Sequence, residues 1–209
     1  MKKVLGLVLG AMLSSTASAG VILQADNVWT DGVPYNGPIE NVINQSGLSA
    51  NYTSGVDDFE TFVNGTTASF GSIASALGDT SAPLDNYYFD LGALYTIDAL
   101  AIWNQWGSAS LKTFDILSSS DASFTTTSLL GSYSIADGSS VTPGYMFNFS
   151  DTSAQYFMID VTSNYGFPDA TRINEVAFSG VSAVPEPSSL ALMALGLAGV
   201  GFVARRRKA

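Results

Sequence analysis

The sequence has 209 residues, 46 % hydrophobic and only 12 % charged, so one domain with a sizeable core is expected, plus extra segments. Its 18 acidic and 8 basic residues give a net charge of −10, and such an acidic chain disfavours nucleic-acid binding because it repels phosphate backbones. The absence of Cys and His excludes disulfides, thiol nucleophiles, Cys-ligated zinc and Ser-His-Asp catalysis.

Residues 1–19 have the pattern of a secretory signal peptide. Lys2 and Lys3 provide a positive start, and Val4–Leu13 is an apolar run too short to span a bilayer. Ala17-Ser18-Ala19 then supplies the small-x-small cleavage pattern. The alternative is a short N-terminal helix of the domain. The pattern predicts export, and an exported chain without Cys is expected to be stabilised by packing or by a bound metal rather than by disulfides.

Residues 20–86 are the least regular part of the chain. Val21–Leu23 is a candidate first strand, and Trp29–Pro38 is turn-rich around Asp31-Gly32. Ile39–Ile43 is expected to form one helical turn. A long loop with a small acidic cluster at 57–60 follows, and loops of this kind often cover one end of a sandwich and carry ligands.

Strand-like runs dominate residues 87–180. In the run Leu111–Ser118, Phe114 and Ile116 alternate with polar neighbours, which is typical of a half-buried strand. The other predicted strands, separated by turn signals at Asp137-Gly138 and Pro143-Gly144, are Ile97–Asn104, Ser128–Ile135, Gly144–Phe149, Gln155–Ser163 and Arg172–Phe178. Short strands separated by such turns predict an all-β sandwich.

The same part of the chain resembles the discoidin, or F5/8 type C, family. The resemblance is carried, in this order, by Phe89–Gly92, Ile97–Asn104, Phe114–Asp121, Gln155–Asn164 and Ile173–Phe178. It implies a galactose-binding-like β-sandwich, or jelly roll, over residues 20–183. The sequence departs from the family where Gln45-Ser46-Gly47 replaces the Asp-Gly often found after the first short helix.

The C-terminal segment, residues 184–209, changes character abruptly. Val184, Pro185, Glu186 and Pro187 precede an apolar run and then a basic cluster at 205–208. This order resembles the PEP-CTERM sorting signal of Gram-negative bacteria. The resemblance implies a membrane helix with a cytoplasmic C-terminus, transient recognition by an exosortase, and cleavage near the motif. The product is expected at the cell envelope, on the outer surface or in the extracellular matrix. A plain C-terminal anchor is the alternative.

Sugar recognition in such sandwiches usually needs an aromatic platform and a few polar side chains at the loop end. Trp106, just past the end of a strand, is the candidate platform. The other candidate ligand-binding residues, aromatic and then amide, are Trp29, Tyr165, Phe167, Asn104, Gln105 and Asn164. The alternative is that Trp103 and Trp106 are packing residues, and this is the better interpretation for Trp103.

The resemblance further implies a structural calcium ion. Domains of this superfamily often hold one with loop oxygens and a carboxylate near the last strand, and Glu175 occupies that last position. Asp26, Asp57 and Asp58 are candidate loop ligands, since calcium takes six to eight oxygens. The alternative is that Glu175 faces solvent or pairs with Arg172.

These features predict a non-enzymatic exported protein of the cell surface or matrix that binds an extracellular glycan. A structural matrix protein without a small ligand is one alternative. A glycoside-cleaving enzyme is a second, but Asp57, Asp58 and Glu60 are neighbours on one segment. Catalytic carboxylates must flank a sugar from two sides, so this alternative is disfavoured.

Overall fold

The structure is a computed structural model and describes residues 20–35, 37–69, 74–77, 84, 86–168, 170–182 and Gly196. The signal peptide predicted over residues 1–19 lies outside these residues. The same is true of the predicted sorting motif at Val184, Pro185, Glu186 and Pro187 and, apart from Gly196, of its apolar helix. Among the described residues, no helix has both the length and the apolar character needed to cross a membrane.

The described part of the chain is built almost entirely from β-strands. Before the α-helix α1 (Phe59–Gly65) come β1 (Val21–Leu23), β2 (Asn27–Thr30), β3 (Val33–Tyr35) and a 3-10 helix (Ile39–Val42). After it come β4 (Thr67–Ser69), β5 (Ala74–Leu77), β6 (Tyr87–Asn104), β7 (Leu111–Ser119), β8 (Thr127–Ser134), β9 (Val141–Asn164) and β10 (Ala170–Ser182). The predicted all-β class is confirmed.

Two long strands, β6 and β9, belong to both layers of a sandwich. The first half of β6 pairs with β2 and with the second half of β9, which continues to β7 and β8. The second half of β6 pairs with β10 and with the first half of β9. The register of the β6–β9 pair shifts between Asp90 and Tyr95, where both strands pass from one layer to the other. We call these the β7 layer and the β10 layer.

The core lies between the layers and is rich in aromatic rings. Phe89 and Phe157 come from the β7 layer and contact Phe178 of the β10 layer at ring-centroid distances of 5.5 and 5.3 Å. All three side chains are fully buried, which is worth about 1.5–3 kcal/mol for each. In β7 the buried Phe114 and Ile116 alternate with half-buried neighbours, as the sequence pattern predicts. The outward face of the β7 layer is therefore open to other uses.

The β10 layer is covered on its outer side as well. Trp103 is fully buried there, and its indole Nε1 donates a hydrogen bond to the carbonyl of Thr66 at 3.0 Å. Phe59 and Val63 of α1 pack in the same cluster. Gly144 allows this approach, since a Cβ there would lie 2.7 Å from Val63 Cγ1. The interpretation of Trp103 as a packing residue is confirmed.

The structure corrects three details of the predicted strands. Gly144–Phe149 and Gln155–Ser163 are parts of one bent strand, β9, and Pro143-Gly144 lies inside it rather than in a turn. Part of the turn-rich stretch Trp29–Pro38 forms β2 and β3, because its backbone completes the ladders of β6 and β5. The acidic cluster at 57–60 lies at the start of α1. Asp58 caps the N-terminus of this helix, because its carboxylate accepts a hydrogen bond from Thr61 N at 2.8 Å.

Candidate functional site

The open face of the β7 layer carries a groove of about 620 Å³. Along its wall Trp29 of β2 stacks on Tyr88 of β6, with ring centroids 5.6 Å apart and planes inclined by 11°. The two residues are direct cross-strand partners, which explains why their rings align. Phe124 closes the wall, with its ring edge-on to Tyr88 at 5.0 Å and to Trp29 at 6.2 Å. All three rings are half-buried, so part of each stays accessible.

Polar groups line the same groove beside the rings. Asp31 holds Asn86 and Tyr88 in place, because its carboxylate accepts hydrogen bonds from Asn86 N at 2.8 Å, Asn86 Nδ2 at 3.2 Å and the Tyr88 hydroxyl at 3.0 Å. Asp160 of β9 also lines the groove, together with Ser123 and Thr127. Burial raises the pKa of the Asp160 carboxyl, and the negative charges of Asp115 and Asp31 raise it further. The groove therefore combines ring faces with hydrogen-bonding groups and negative charge.

Phe124 is held over the groove by the loop between β7 and β8. Its backbone has a φ of 51°, in the left-handed region that costs a bulky residue free energy. Asp121 stabilises this loop, since its carboxylate accepts hydrogen bonds from the backbone and hydroxyl groups of Ser123 and Thr125. These bonds hold the pKa of the Asp121 carboxyl below its usual range, and the bond from the Ser123 hydroxyl has the largest effect.

The predicted platform, Trp106, lies in a second region, the loop end, formed by the loops at 105–110, 135–140 and 164–168. Trp106 is 46 % exposed and Tyr165 is 36 % exposed. Lys112 Nζ lies 5.4 Å from the ring centroid of Tyr165, and the Arg172 guanidinium carbon lies 5.8 Å from that of Phe167. Cations therefore occupy one face of two of these rings, and neither ring lines the groove.

The predicted amide ligands at the loop end are used by the fold itself. Asn104 is fully buried, and its Nδ2 donates to Ser110 Oγ at 2.8 Å and to the Leu111 carbonyl at 2.9 Å. Gln105 is also fully buried. Asn164 Nδ2 donates to the carbonyls of Phe167 and Ala170 at 2.7 and 2.8 Å. Asn104 and Asn164 therefore order the loops, whereas neither polar atom of the Gln105 side-chain amide has a hydrogen-bond partner among the described residues. The role of all three side chains as sugar ligands stays a prediction.

Glu175 of β10 is fully buried, so the alternative that it faces solvent is wrong. Its Oε2 accepts a hydrogen bond from Gln45 N at 2.9 Å, while its Oε1 has no hydrogen-bond partner among the described residues. Burial raises the pKa of Glu175 to about 10, although the Gln45 N–H opposes this. Gln45 has a φ of 61°, and its side-chain oxygen also accepts a hydrogen bond from Tyr52 N. A buried carboxylate oxygen without a partner fits a ligand for a hard cation.

The other predicted calcium ligands are engaged elsewhere. Asp57 Oδ2 accepts a hydrogen bond from Thr53 N at 2.6 Å, and Asp58 caps α1. The carboxylate of Asp26 lies against Gly92 of β6, where a Cβ would come within 1.9 Å of Oδ2. In the part of the chain that the structure describes, no three acidic side chains lie close enough together to hold a metal ion. A calcium ion at Glu175 would therefore need loop carbonyl oxygens as its further ligands.

Several groove residues carry no signal in the sequence alone. Tyr88, Phe124, Asp31 and Asp160 come from four separate segments, and of the groove residues only Trp29 belongs to the predicted set. The period-two alternation could have placed Tyr88 and Asp160 on outward positions, since Phe89 and Ile159 face the core. It could not have shown that these positions share one cavity.

The fold is a galactose-binding-like β-sandwich, and the solved structures similar to it include carbohydrate-binding modules of family 32. One structure of that fold is the family 32 module of Clostridium perfringens NanJ in complex with galactose, with a TM-score of 0.50 and 10 % identity over 76 % of this chain and 99 % of that chain. A second is CBM32-1 from a family 31 glycoside hydrolase of C. perfringens, with a TM-score of 0.51 and 16 % identity over 75 % and 96 %. The predicted fold is confirmed.

A third structure of this fold is chitosan-binding module 1 of a chitosanase/glucanase from Paenibacillus sp. IK-5, with a TM-score of 0.50 and 13 % identity over 75 % of this chain and 95 % of that chain. At such identities the likeness is one of fold alone. No curated protein sequence matches this chain. Residues 183–208 match the PEP-CTERM protein-sorting motif, which confirms the predicted sorting motif.

Proposed function

We propose that this chain is an exported protein whose β-sandwich binds carbohydrate without cleaving it. The observation that carries the proposal is the groove with the stacked Trp29–Tyr88 pair and Phe124. The apolar face of a sugar ring packs on such aromatic faces, and its hydroxyls need nearby donors and acceptors. Asp160, Ser123 and Thr127 line the groove where they can supply these.

Proteins of the same fold support the same function at a coarser level. They are carbohydrate-binding modules, of which one was solved in complex with galactose and another is a chitosan-binding module. The sorting motif supports export and processing by an exosortase. In this proposal the C-terminal helix anchors the chain transiently in the inner membrane of a Gram-negative bacterium. The processed protein is then delivered to the outer surface or the extracellular matrix.

The loop end is the second place where a sugar could bind. Trp106 and Tyr165 are exposed there, and their loops are joined through hydrogen bonds between Tyr165 N and Ser110 O and between Phe167 N and Ser108 O. We rank the loop end below the groove, because Lys112 and Arg172 lie over the rings of Tyr165 and Phe167 and because Asn104 and Gln105 are buried.

A glycan array probed with the full-length protein tests the proposal, with Trp29→Ala and Trp106→Ala as a matched pair. We expect binding that falls about tenfold or more in Trp29→Ala and stays within about twofold in Trp106→Ala, since an aromatic contact is worth roughly 0.5–1.5 kcal/mol beyond its buried area. Loss of glycan binding in Trp106→Ala alone would show that the binding site is at the loop end. Absence of any bound glycan would favour a structural matrix protein without a small ligand.

The enzyme alternative has its own test, because the groove contains carboxylates. Incubating the protein with the polysaccharide of the producing cells and assaying new reducing ends would reveal glycoside cleavage. The proposal expects none above a heated control. New reducing ends that disappear in Asp160→Asn would contradict the non-catalytic function.

Calcium at Glu175 is a separate proposal, and the partnerless Oε1 supports it. Glu175 would hold the ion together with carbonyl oxygens of the loop around Gln45, and the ion would stabilise that loop against β10. We expect added calcium to raise the melting temperature and a chelator to lower it, with no such response in Glu175→Gln. A melting curve indifferent to both would contradict the calcium site.

A further inference from the structure

The positive charges of the sandwich are confined to the loop end. Between residues 20 and 182 the sequence has only two basic residues, Lys112 and Arg172. Both lie over rings of the loop end, and neither lines the groove. The groove is thus a region where negative charge has no basic side chain of the sandwich beside it.

Two carboxylates lie opposite each other on the paired strands β7 and β9, and one of them, Asp160, lines the groove. Asp115 of β7 and Asp160 of β9 are direct cross-strand partners. The neighbouring outward pair, Leu117 and Met158, also lines the groove, so the alternation places Asp115 and Asp160 on the same face. Like charges directly opposite each other destabilise a sheet. Burial raises the pKa of the Asp160 carboxyl, and the negative charges of Asp115 and Asp31 raise it further.

The fold therefore maintains a repulsion that a bound cation would relieve. A protonated amine near Asp160 would interact with the carboxylates and with the ring faces of Trp29 and Tyr88 at the same time. A bare metal ion fits less well, since no three acidic side chains of the described residues are arranged to hold one. Asp31 already accepts three hydrogen bonds from Asn86 and Tyr88, so its oxygens are largely used.

We propose that the ligand of the groove is a saccharide that carries protonated amino groups, such as a de-N-acetylated amino-sugar polymer. The proposal rests on the carbohydrate-binding function proposed above and adds the class of sugar. Ring faces together with Ser123 and Thr127 suit a polyhydroxylated ring, and Asp160, with Asp115 opposite it in the sheet, suits its amine.

Calorimetric titration of the full-length protein tests this with three hexasaccharides: glucosamine, N-acetylglucosamine and neutral glucose oligomers. We expect the glucosamine hexamer to bind about tenfold tighter than the other two and to weaken as salt is raised. Asp160→Asn should weaken its binding about three- to tenfold, which corresponds to one partly buried charge pair. The same variant should change the affinity for the glucose hexamer by less than about twofold.

Asp151→Asn is the matched control, because it removes the same charge from an exposed position of β9 outside the groove. It should leave the glucosamine affinity unchanged. Asp115→Asn is a second test variant, and both groove variants should be at least as thermally stable as the parent, since each relieves repulsion. A selective loss with unchanged melting then reports the ligand contact rather than misfolding.

The outcomes separate the two proposals. Equal affinity for all three hexasaccharides, lost in Trp29→Ala, would overturn the amino-sugar inference and leave the carbohydrate-binding function standing. Tighter binding of the acetylated oligomer would do the same. Binding of hexalysine as tightly as the glucosamine hexamer would overturn the saccharide assignment. Failure of any saccharide to bind would overturn both.

Discussion

The groove and the loop end contain similar side chains in different surroundings. In the groove, the rings of Trp29 and Tyr88 stack on each other and line a cavity with acidic residues and no basic side chain. At the loop end, cations cover one face of two rings, and the amides of Asn104 and Asn164 bond the backbone.

The difference shows that residue type alone does not decide whether a side chain can bind a ligand. An aromatic residue next to an amide in the sequence suggests a sugar site. To bind a sugar, however, both side chains must be able to exchange their contacts with water for contacts with the ligand. At the loop end the amides satisfy buried carbonyl groups, a role that makes them costly to replace and keeps them from a ligand. The groove residues lie in a sheet whose inner face alone supplies the core, so their outward positions can serve binding.

The largest expected effect is on stability at the loop end. Asn104→Ala removes the hydrogen bonds to Ser110, Leu111 and the Ala136 carbonyl and leaves buried acceptors unsatisfied. We expect a loss of about 2–3 kcal/mol in the free energy of unfolding, measured by urea denaturation. Ser108→Ala, on the exposed surface of the same loop, is the control and should change stability by less than about 0.5 kcal/mol. A near-neutral Asn104→Ala would mean that this amide is free to bind.

The next largest effect is expected when one aromatic ring is removed from the groove and, in a matched variant, one from the loop end. Phe124→Ala removes the ring that closes the groove, and Tyr165→Ala removes one at the loop end. We expect ligand affinity, measured by calorimetry, to fall about fivefold in the first and to stay within about twofold in the second. Equal losses in both variants would show that one ligand spans both regions.

The loop that carries Phe124 gives a smaller and pH-dependent effect. Its Asp121 carboxylate has a pKa lowered from the ordinary value of 3.8, so it favours the folded loop most strongly above that pH. The stabilisation is lost as the pH falls through the lowered pKa. We expect hydrogen-exchange protection of the Ser123 and Thr125 amides to persist through pH 4 and to fall at lower pH. Asp121→Ala should remove this protection at neutral pH, and unchanged exchange there would contradict the role of Asp121.

The smallest expected effect concerns the cation at the loop end. Lys112→Gln removes the charge over the Tyr165 ring while keeping a long polar side chain. The free energy of unfolding should fall by about 0.5 kcal/mol, since exposed cation–π contacts are worth roughly that. Lys112→Arg is the control that keeps the charge. A loss above about 2 kcal/mol, measured by denaturant melts, would show that this cation organises the loops.

Much of the fold could be predicted from the residue pattern, but the site could not. The alternation around Phe114 and Ile116 and along Phe157, Ile159 and Val161 identified inward positions that are buried in the structure. The sequence predicts that this strand begins only at Gly144, because Pro143-Gly144 usually marks a turn, whereas β9 begins at Val141. Here Thr67 of β4 pairs with Pro143 and holds it in the ladder. Such long-range pairing has no local signal.

The sequence by itself determined the acidic, cysteine-free composition, the all-β alternation and the sorting motif at residues 183–208. These features depend on residue type and on spacing along the chain. Only the tertiary structure decided that Trp29, Tyr88, Phe124 and Asp160 share a groove and that Asn104 belongs to the interior. The reason is physical: a binding surface forms where distant strands pair, and their register decides which side chains meet.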